Sequence, residues 1–243
     1  MAPTLTKRGI ERKPIITTRN LSVNYDDFCA VRDVSLSVTR GEFVAVVGTS
    51  GCGKSTMLHA LAGFLPFSGE VTIQGSVGMV AQQHSVFPWM TVRGNIAFGL
   101  ESKPKSERDC IVAEYLELTG LLEKADRYPA ELSGGQVQRV ALAQTLALNP
   151  EVLLLDEPYG ALDAHTRGKM QEWLLEVWDR HRKTVMLVTH DIEEALFLAN
   201  RVLVMGQGTI TEEFSVPFER PRSQTIKFKT EFNTLRGKVF EAL

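Results

Sequence analysis

Residues 48–56 read Gly48-Thr49-Ser50-Gly51-Cys52-Gly53-Lys54-Ser55-Thr56, between the apolar run Phe43-Val44-Ala45-Val46-Val47 and the segment Met57-Leu58-His59-Ala60-Leu61-Ala62. A short continuous apolar run predicts a strand buried in a parallel sheet. The second segment predicts a helix, ended by Gly63. The glycines therefore fall at a strand-to-helix turn, where the backbone can curl around a phosphate chain and aim its N–H groups inward. A helix opening near Lys54 points its positive dipole end at the same place. Lys54 adds a full charge for β- and γ-phosphates, and Ser55 offers a hydroxyl to Mg²⁺. A glycine-rich turn that binds nothing leaves the flanking strand and helix unexplained, so nucleotide binding is the expectation.

Size and charge narrow the class. The chain has 243 residues, 44% hydrophobic and 23% charged, which suits a soluble protein with one large α/β domain or a core with a small subdomain. Lys and Arg number 27 against 29 Asp and Glu, a net charge of −2. That balance gives no push towards nucleic acid, and no nucleic-acid partner is expected. Cys29, Cys52 and Cys110 cannot make a disulfide framework and fit a reducing cytosol. No apolar run approaches the roughly 20 residues of a membrane span. The first residues carry Lys7, Arg8, Arg12 and Lys13 without an apolar stretch, so they do not read as a secretory signal. Residues 1–15 are expected to be a disordered extension.

Outward from the loop, Leu21, Val23 and Tyr25 alternate, as do Val34, Leu36 and Val38, predicting half-buried antiparallel strands. Residues 70–73 and 77–80 predict two further short strands joined at Gly75. From Pro88 to Leu148 the pattern turns helical: Ile111, Val112, Tyr115, Leu116 and Leu118 supply one apolar face, and Ser133 caps another helix that Asn149-Pro150 stops. This stretch, about 88–148, reads as a helical insertion. Buried strands resume at Val152–Leu155, Thr184–Val188 and Val202–Met205, with Asp163 and Asp191 as N-caps of the intervening helices. Gln207-Gly208 reads as a turn, and from about 214 the signal weakens into a loosely packed tail with one last helix.

Two further clusters carry chemistry. Asp156-Glu157 ends an apolar strand, the place where ligands meet open α/β sheets. Beside a phosphate-binding loop, an Asp there holds Mg²⁺ and the adjacent Glu can take a proton from water. Leu132-Ser133-Gly134-Gly135-Gln136 opens a helix with exposed N–H groups, a second anion site far from the first in sequence.

Order and spacing of these motifs resemble the ATP-binding cassette (ABC) ATPases. Leu132–Gln136 with Gln138-Arg139 resembles their signature, and Leu155-Asp156-Glu157-Pro158 their Walker B motif. Tyr25 stands where that family places an aromatic ring against adenine, and Gln82 where it places a glutamine that touches Mg²⁺ and senses a transmembrane partner. Ala161-Leu162-Asp163 resembles the D-loop, and Thr189-His190-Asp191 the switch histidine that contacts the γ-phosphate. Phe87-Pro88-Trp89, residues 156–164, residues 190–195 and Arg220-Pro221-Arg222 are similar to importers of the nitrate, sulfonate and taurine class. The chain departs from the common pattern at Ala81, Val137 and Gln144.

The resemblance implies an α/β fold: a P-loop NTPase, ABC-type ATPase core (16–213) with an N-terminal antiparallel β subdomain and an inserted α-helical subdomain, then a tail over 214–243. It implies a Mg²⁺-dependent ATPase that energises a membrane importer of a small anion or an organosulfur or nitrogen solute. Gly48 to Thr56 and Tyr25 would bind ATP; Ser55, Gln82 and Asp156 would serve Mg²⁺; Glu157, His190 and Gln82 would be catalytic. Ser133, Gly134, Gly135 and Gln136, with Asp163, would act across a head-to-tail dimer, homomeric or with a paired ATPase subunit. The implied partners are an integral-membrane permease and, indirectly, a periplasmic or extracellular solute-binding protein. The implied location is peripheral, on the cytoplasmic face of the inner membrane. The rival is a soluble ABC ATPase of DNA repair, translation or complex assembly. Such proteins usually carry two cassettes, long coiled-coil insertions or zinc insertions, and this chain has one cassette, no heptad run and no cysteine cluster.

Overall fold

A computed structural model describes residues 13–81, 86–160 and 162–243. Gln82 and residues 1–12 of the expected extension lie outside the described residues. The chain opens with a hairpin of β1 (Pro14–Tyr25) and β2 (Phe28–Thr39), then β3 (Phe43–Val47) and α1 (Lys54–Leu61). Next come β4 (Ser68–Ile73), β5 (Val77–Val80), α2 (Val92–Ala97), α3 (Lys105–Leu118) and α4 (Gly134–Ala147). The remainder is β6 (Val152–Asp156), α5 (Ala164–His181), β7 (Thr184–Thr189), α6 (Ile192–Leu198), β8 (Arg201–Gly206), β9 (Thr209–Ser215) and α7 (Thr230–Glu241).

The strands sort into two sheets. A three-stranded antiparallel sheet has the order β2-β1-β4, and a six-stranded sheet the order β5-β6-β7-β3-β8-β9. In the larger sheet only β9 runs antiparallel, returning from β8 through the Gln207-Gly208 turn. The two short strands expected to be joined at Gly75 lie in different sheets: β4 joins β1, while β5 pairs with β6 in parallel. Gly75 sits between them at φ 93° and turns the chain from one sheet to the other.

Parallel strands buried on both faces must be apolar throughout, and period-2 alternation then decides which layer each residue meets. Phe43, Ala45, Val47, Leu153, Leu155, Val185 and Leu187 pack with α4, α5 and α6. Val44, Val46, Val152, Leu154, Met186 and Val188 pack instead with α1 and the β1–β2 hairpin. The helical insertion has its own core, including Val92, Ile96, Val112, Leu116, Leu121, Val140 and Ala143. α4 belongs to both bodies, since Ala141, Leu142 and Leu146 reach the main core.

Both chain ends differ from expectation. β1 begins at Pro14 and buries Ile15, so the first subdomain starts inside the expected extension. At the other end β9 runs through the expected boundary at 213. The segment beyond is not loose, because Ile226, Phe232 and Val239 are buried in the main core. Arg222 anchors it, donating to the carbonyls of Leu196, Phe197, Ala199, Val216 and Phe218 at 2.7 to 3.5 Å. Mixed charge in the sequence reads as solvated surface, but an arginine that satisfies the last carbonyls of α6 is a buried anchor. Among the described residues no helix is long and apolar enough to cross a membrane.

Candidate functional site

Strand order builds the site. β7 lies between β6 and β3, with Val47 opposite Thr189 and Asp156 opposite Val188. The three parallel strands therefore end at one edge, and residues 48–56, 156–157 and 189–191 leave the sheet together. Between β3 and α1, Gly51 has φ 79° and Gly53 φ 107°, both in the left-handed region. Gly53 is the N-cap of α1, and a Cβ there would also strike the Ala30 carbonyl. Glycine is required at this position on both counts.

Lys54 is buried, with Nζ donating to the carbonyls of Gly48 at 2.8 Å and Thr49 at 2.9 Å. The Cys52 sulfur lies 3.8 Å from the same nitrogen. Ser55 Oγ donates to Asp156 Oδ1 at 2.8 Å, and His59 Nε2 lies 3.7 Å from Asp156 Oδ2. Burial pushes the Asp156 carboxyl up, against the Ser55 hydrogen bond and the charges of His59 and Lys54. A buried carboxylate still short of positive charge, touching a hydroxyl oxygen, is a donor set that fits a hard divalent cation such as Mg²⁺. Glu157 has φ 46°, and its N–H donates to the Val188 carbonyl at 2.9 Å. This left-handed turn carries the side chain off the β6 axis, and Oε2 lies 3.2 Å from His190 Nδ1.

Lys54, Ser55, Glu157 and His190 line a cleft of about 460 Å³ with Tyr25, Phe28, Ser50, Gly51, Gly53 and Thr56, and Asp156 joins it through Ser55. Phe28 is the residue that sequence reasoning missed. Tyr25 and Phe28 face each other across the two-residue turn of the β1–β2 hairpin, and both rings are exposed. An Asp-Asp pair between two aromatics is a hairpin signal that could have found it.

The second anion site does not join this cleft in the single chain. Ser133 caps α4, accepting from Gln136 N–H at 3.4 Å, while Gln136 Oε1 accepts from Ser133 N–H at 3.0 Å. This capping box uses Ser133 and Gln136 locally and leaves Ser133 and Gly134 exposed. Asp163 caps α5 through the N–H groups of His165 and Thr166 at 3.1 and 3.0 Å. Its hydrogen bonds, led by Thr166, hold its carboxyl below the usual range. The expected Mg²⁺ contact of Gln82 lies outside the described residues.

Known proteins match this arrangement. A family model described as ABC transporter matches residues 31–160. The nitrate import ATP-binding protein NrtD of Synechococcus elongatus is 47% identical over 81% of this chain and 78% of its own length. The bicarbonate transport ATP-binding protein CmpD of a Synechocystis species is 39% identical over 91% of this chain and 86% of its own. A dimeric structure of the ATP-binding cassette MJ0796, bound to ADP and Pi, is 31% identical with a TM-score of 0.77, covering 84% of this chain and all of that one.

Proposed function

Since the chain belongs to the ABC transporter family as an ATP-hydrolysing subunit, we propose that it energises the import of a small anion or an organosulfur or nitrogen solute such as nitrate, sulfonate or taurine. One observation carries the reading: the phosphate-binding loop, Asp156 and the Glu157–His190 pair leave the sheet at one edge, where the loop, Glu157 and His190 line one cleft and Ser55 ties Asp156 to the loop. The 47% identity to a nitrate import ATP-binding protein supports the solute class.

The contacts of the described residues support the following roles. Lys54 and the N–H groups of residues 48–53 hold the β- and γ-phosphates. Tyr25 and Phe28 offer two ring faces to the base. Ser55 and Asp156 would hold Mg²⁺, with Gln82 as the third expected ligand, and the ion when bound would neutralise charge on the phosphates. Glu157 accepts a proton from the attacking water. His190, in contact with Glu157 Oε2, orients that carboxylate and meets the γ-phosphate.

The exposed Ser133-Gly134-Gly135-Gln136 helix start completes the site of a second subunit, head to tail, with Asp163 beside the contact. A permease receives the closure signal at Gln82 and the helical subdomain, and a solute-binding protein selects the solute. The chain then sits peripherally at the cytoplasmic face of the inner membrane.

Detergent pull-down of tagged Glu157→Gln protein with ATP, followed by mass spectrometry, tests this. Recovery of a multi-pass membrane protein with a solute-binding protein is expected, and solute screening on the latter gives the cargo. Recovery of ribosomes, repair factors or a soluble assembly complex instead would overturn the importer assignment and leave the ATPase chemistry standing.

A further inference from the structure

Behind the Glu157–His190 pair lies a small void lined by those two residues with Tyr159, Arg167, Thr189 and Glu194. Its volume is about 10 Å³, near the lower limit for one water. Tyr159 and Glu194 are 1% and 4% exposed. The Tyr159 hydroxyl and Glu194 Oε1 have no hydrogen-bond partner in the protein. Buried polar atoms of this kind call for a bridging water.

The surrounding bonds place the hydrogens. Asp191 N–H donates to Thr189 Oγ1 at 3.1 Å, and Thr189 Oγ1 donates to Glu194 Oε2 at 2.7 Å. Asp191 Oδ1 in turn accepts from Glu194 N–H at 3.1 Å. Oε1 is therefore the oxygen left to carry an acid proton. Burial pushes the Glu194 carboxyl up to about 8.

Several charged groups face this side chain from the elements around it. Asp191 precedes it on its own turn and raises its pKa, while Arg167 on α5 and Lys227 in the turn 224–228 lower it. Tyr159, Glu157 and His190 lie across the void. Arg236 on α7 pairs with the neighbouring Glu193. Arg167 is itself drawn to Asp191, 3.6 Å away.

We propose that Glu194 is a positioning residue for the Glu157–His190 pair. Its acid proton at Oε1 anchors one water in the void, that water ties Tyr159 to the turn Thr189-His190-Asp191, and the turn holds His190 against Glu157. Ionisation would set a buried negative charge beside the half-buried Asp191 and behind Glu157, and the turn would shift away. The proposal rests on the catalytic roles given above to Glu157 and His190.

The test is the pH profile of ATP turnover by the full chain in its permease complex. Loss of one proton near pH 8 predicts that wild-type kcat falls about tenfold between pH 7 and pH 9. Glu194→Gln cannot ionise and loses this high-pH limb, whatever its absolute rate. Tyr159→Phe removes the partner that the water joins to the acid proton and moves the limb to lower pH. Infrared spectra at pH 7 should contain a protonated-carboxyl band that Glu194→Gln lacks. A limb at the wild-type pH in both variants, or an unchanged band, would overturn the proposal. Full turnover by Glu157→Gln and His190→Ala would instead remove the catalytic reading beneath it. If those two are impaired while both void variants titrate like the wild type, only the positioning role falls.

Discussion

The backbone of Glu157, not its chemistry alone, suits it to the proposed role of general base. A residue in line with β6 would continue the strand, whereas φ 46° carries its side chain to His190. Replacing it with glutamine keeps the shape and removes the base, so turnover should drop about 10²–10⁴-fold while ATP binding persists. Single-turnover kinetics beside equilibrium binding would separate the two; near-normal turnover would take Glu157 out of the role. Phe28→Ala should weaken ATP binding by about tenfold, because one base–ring stack is worth roughly 1–3 kcal/mol. GTP binding should weaken in parallel, since stacking reads no base edge, and unaltered affinity for both would exclude the ring from the site. Glu194 makes a prediction for stability as well. Its folded pKa of about 8 lies above the ordinary carboxyl value of 4.5. Between those limits the unfolded chain binds fewer protons, so this group's contribution to stability falls as pH rises and levels off above pH 8. Urea unfolding of wild type against Glu194→Gln at pH 5 and pH 8 should show the difference growing in the variant's favour. A constant difference would contradict a buried neutral acid.

At the scale of elements, the fold depends on helices held at their ends. Ser133, Asp163 and Asp191 cap α4, α5 and α6 through side-chain oxygens, as residues of their type before apolar-periodic segments should. Those caps were legible from the sequence because capping is local. The C-terminal anchor was not. Arg222 gathers carbonyls from residues 196, 197, 199, 216 and 218, and only the return of the chain across α6 brings them together. Arg222→Ala leaves those carbonyls buried without a donor. The loss should be about 3 kcal/mol or more, given about 1.5–3 kcal/mol for a hydrogen bond to a charged group. Chemical denaturation measures it, and a loss under about 1 kcal/mol would show that water reaches the α6 end. Likewise, β4 and β5 were legible as strands but not as members of different sheets, because alternation reports a face and not a neighbour.

For the whole molecule, two helix starts of the kind that attract anions stand on one chain, and of these the Lys54 start lines the cleft while the Ser133 start does not. In the proposed head-to-tail dimer each cleft would receive the other chain's Ser133. Lys54→Ala should abolish hydrolysis and most ATP affinity, and Ser133→Arg should abolish hydrolysis while ATP still binds the single chain. Mixing the two inactive variants should restore activity, because one mixed-dimer site then has an intact loop and an intact signature. A mixture as inactive as its components would argue that each chain completes its own site.

The sequence alone determined the loop, the strand and helix around it, the caps and the pair of carboxylates that ends β6, all matters of residue type within a few positions. Tertiary structure decided which strand ends meet, and so that Ser55 reaches Asp156 and Glu157 reaches His190. It also decided that Phe28 shares the cleft and that Tyr159 and Glu194 share a buried void. The physical reason is that local pattern fixes what an element is and which face it buries. Neighbours in a sheet are chosen by the packing of the whole chain.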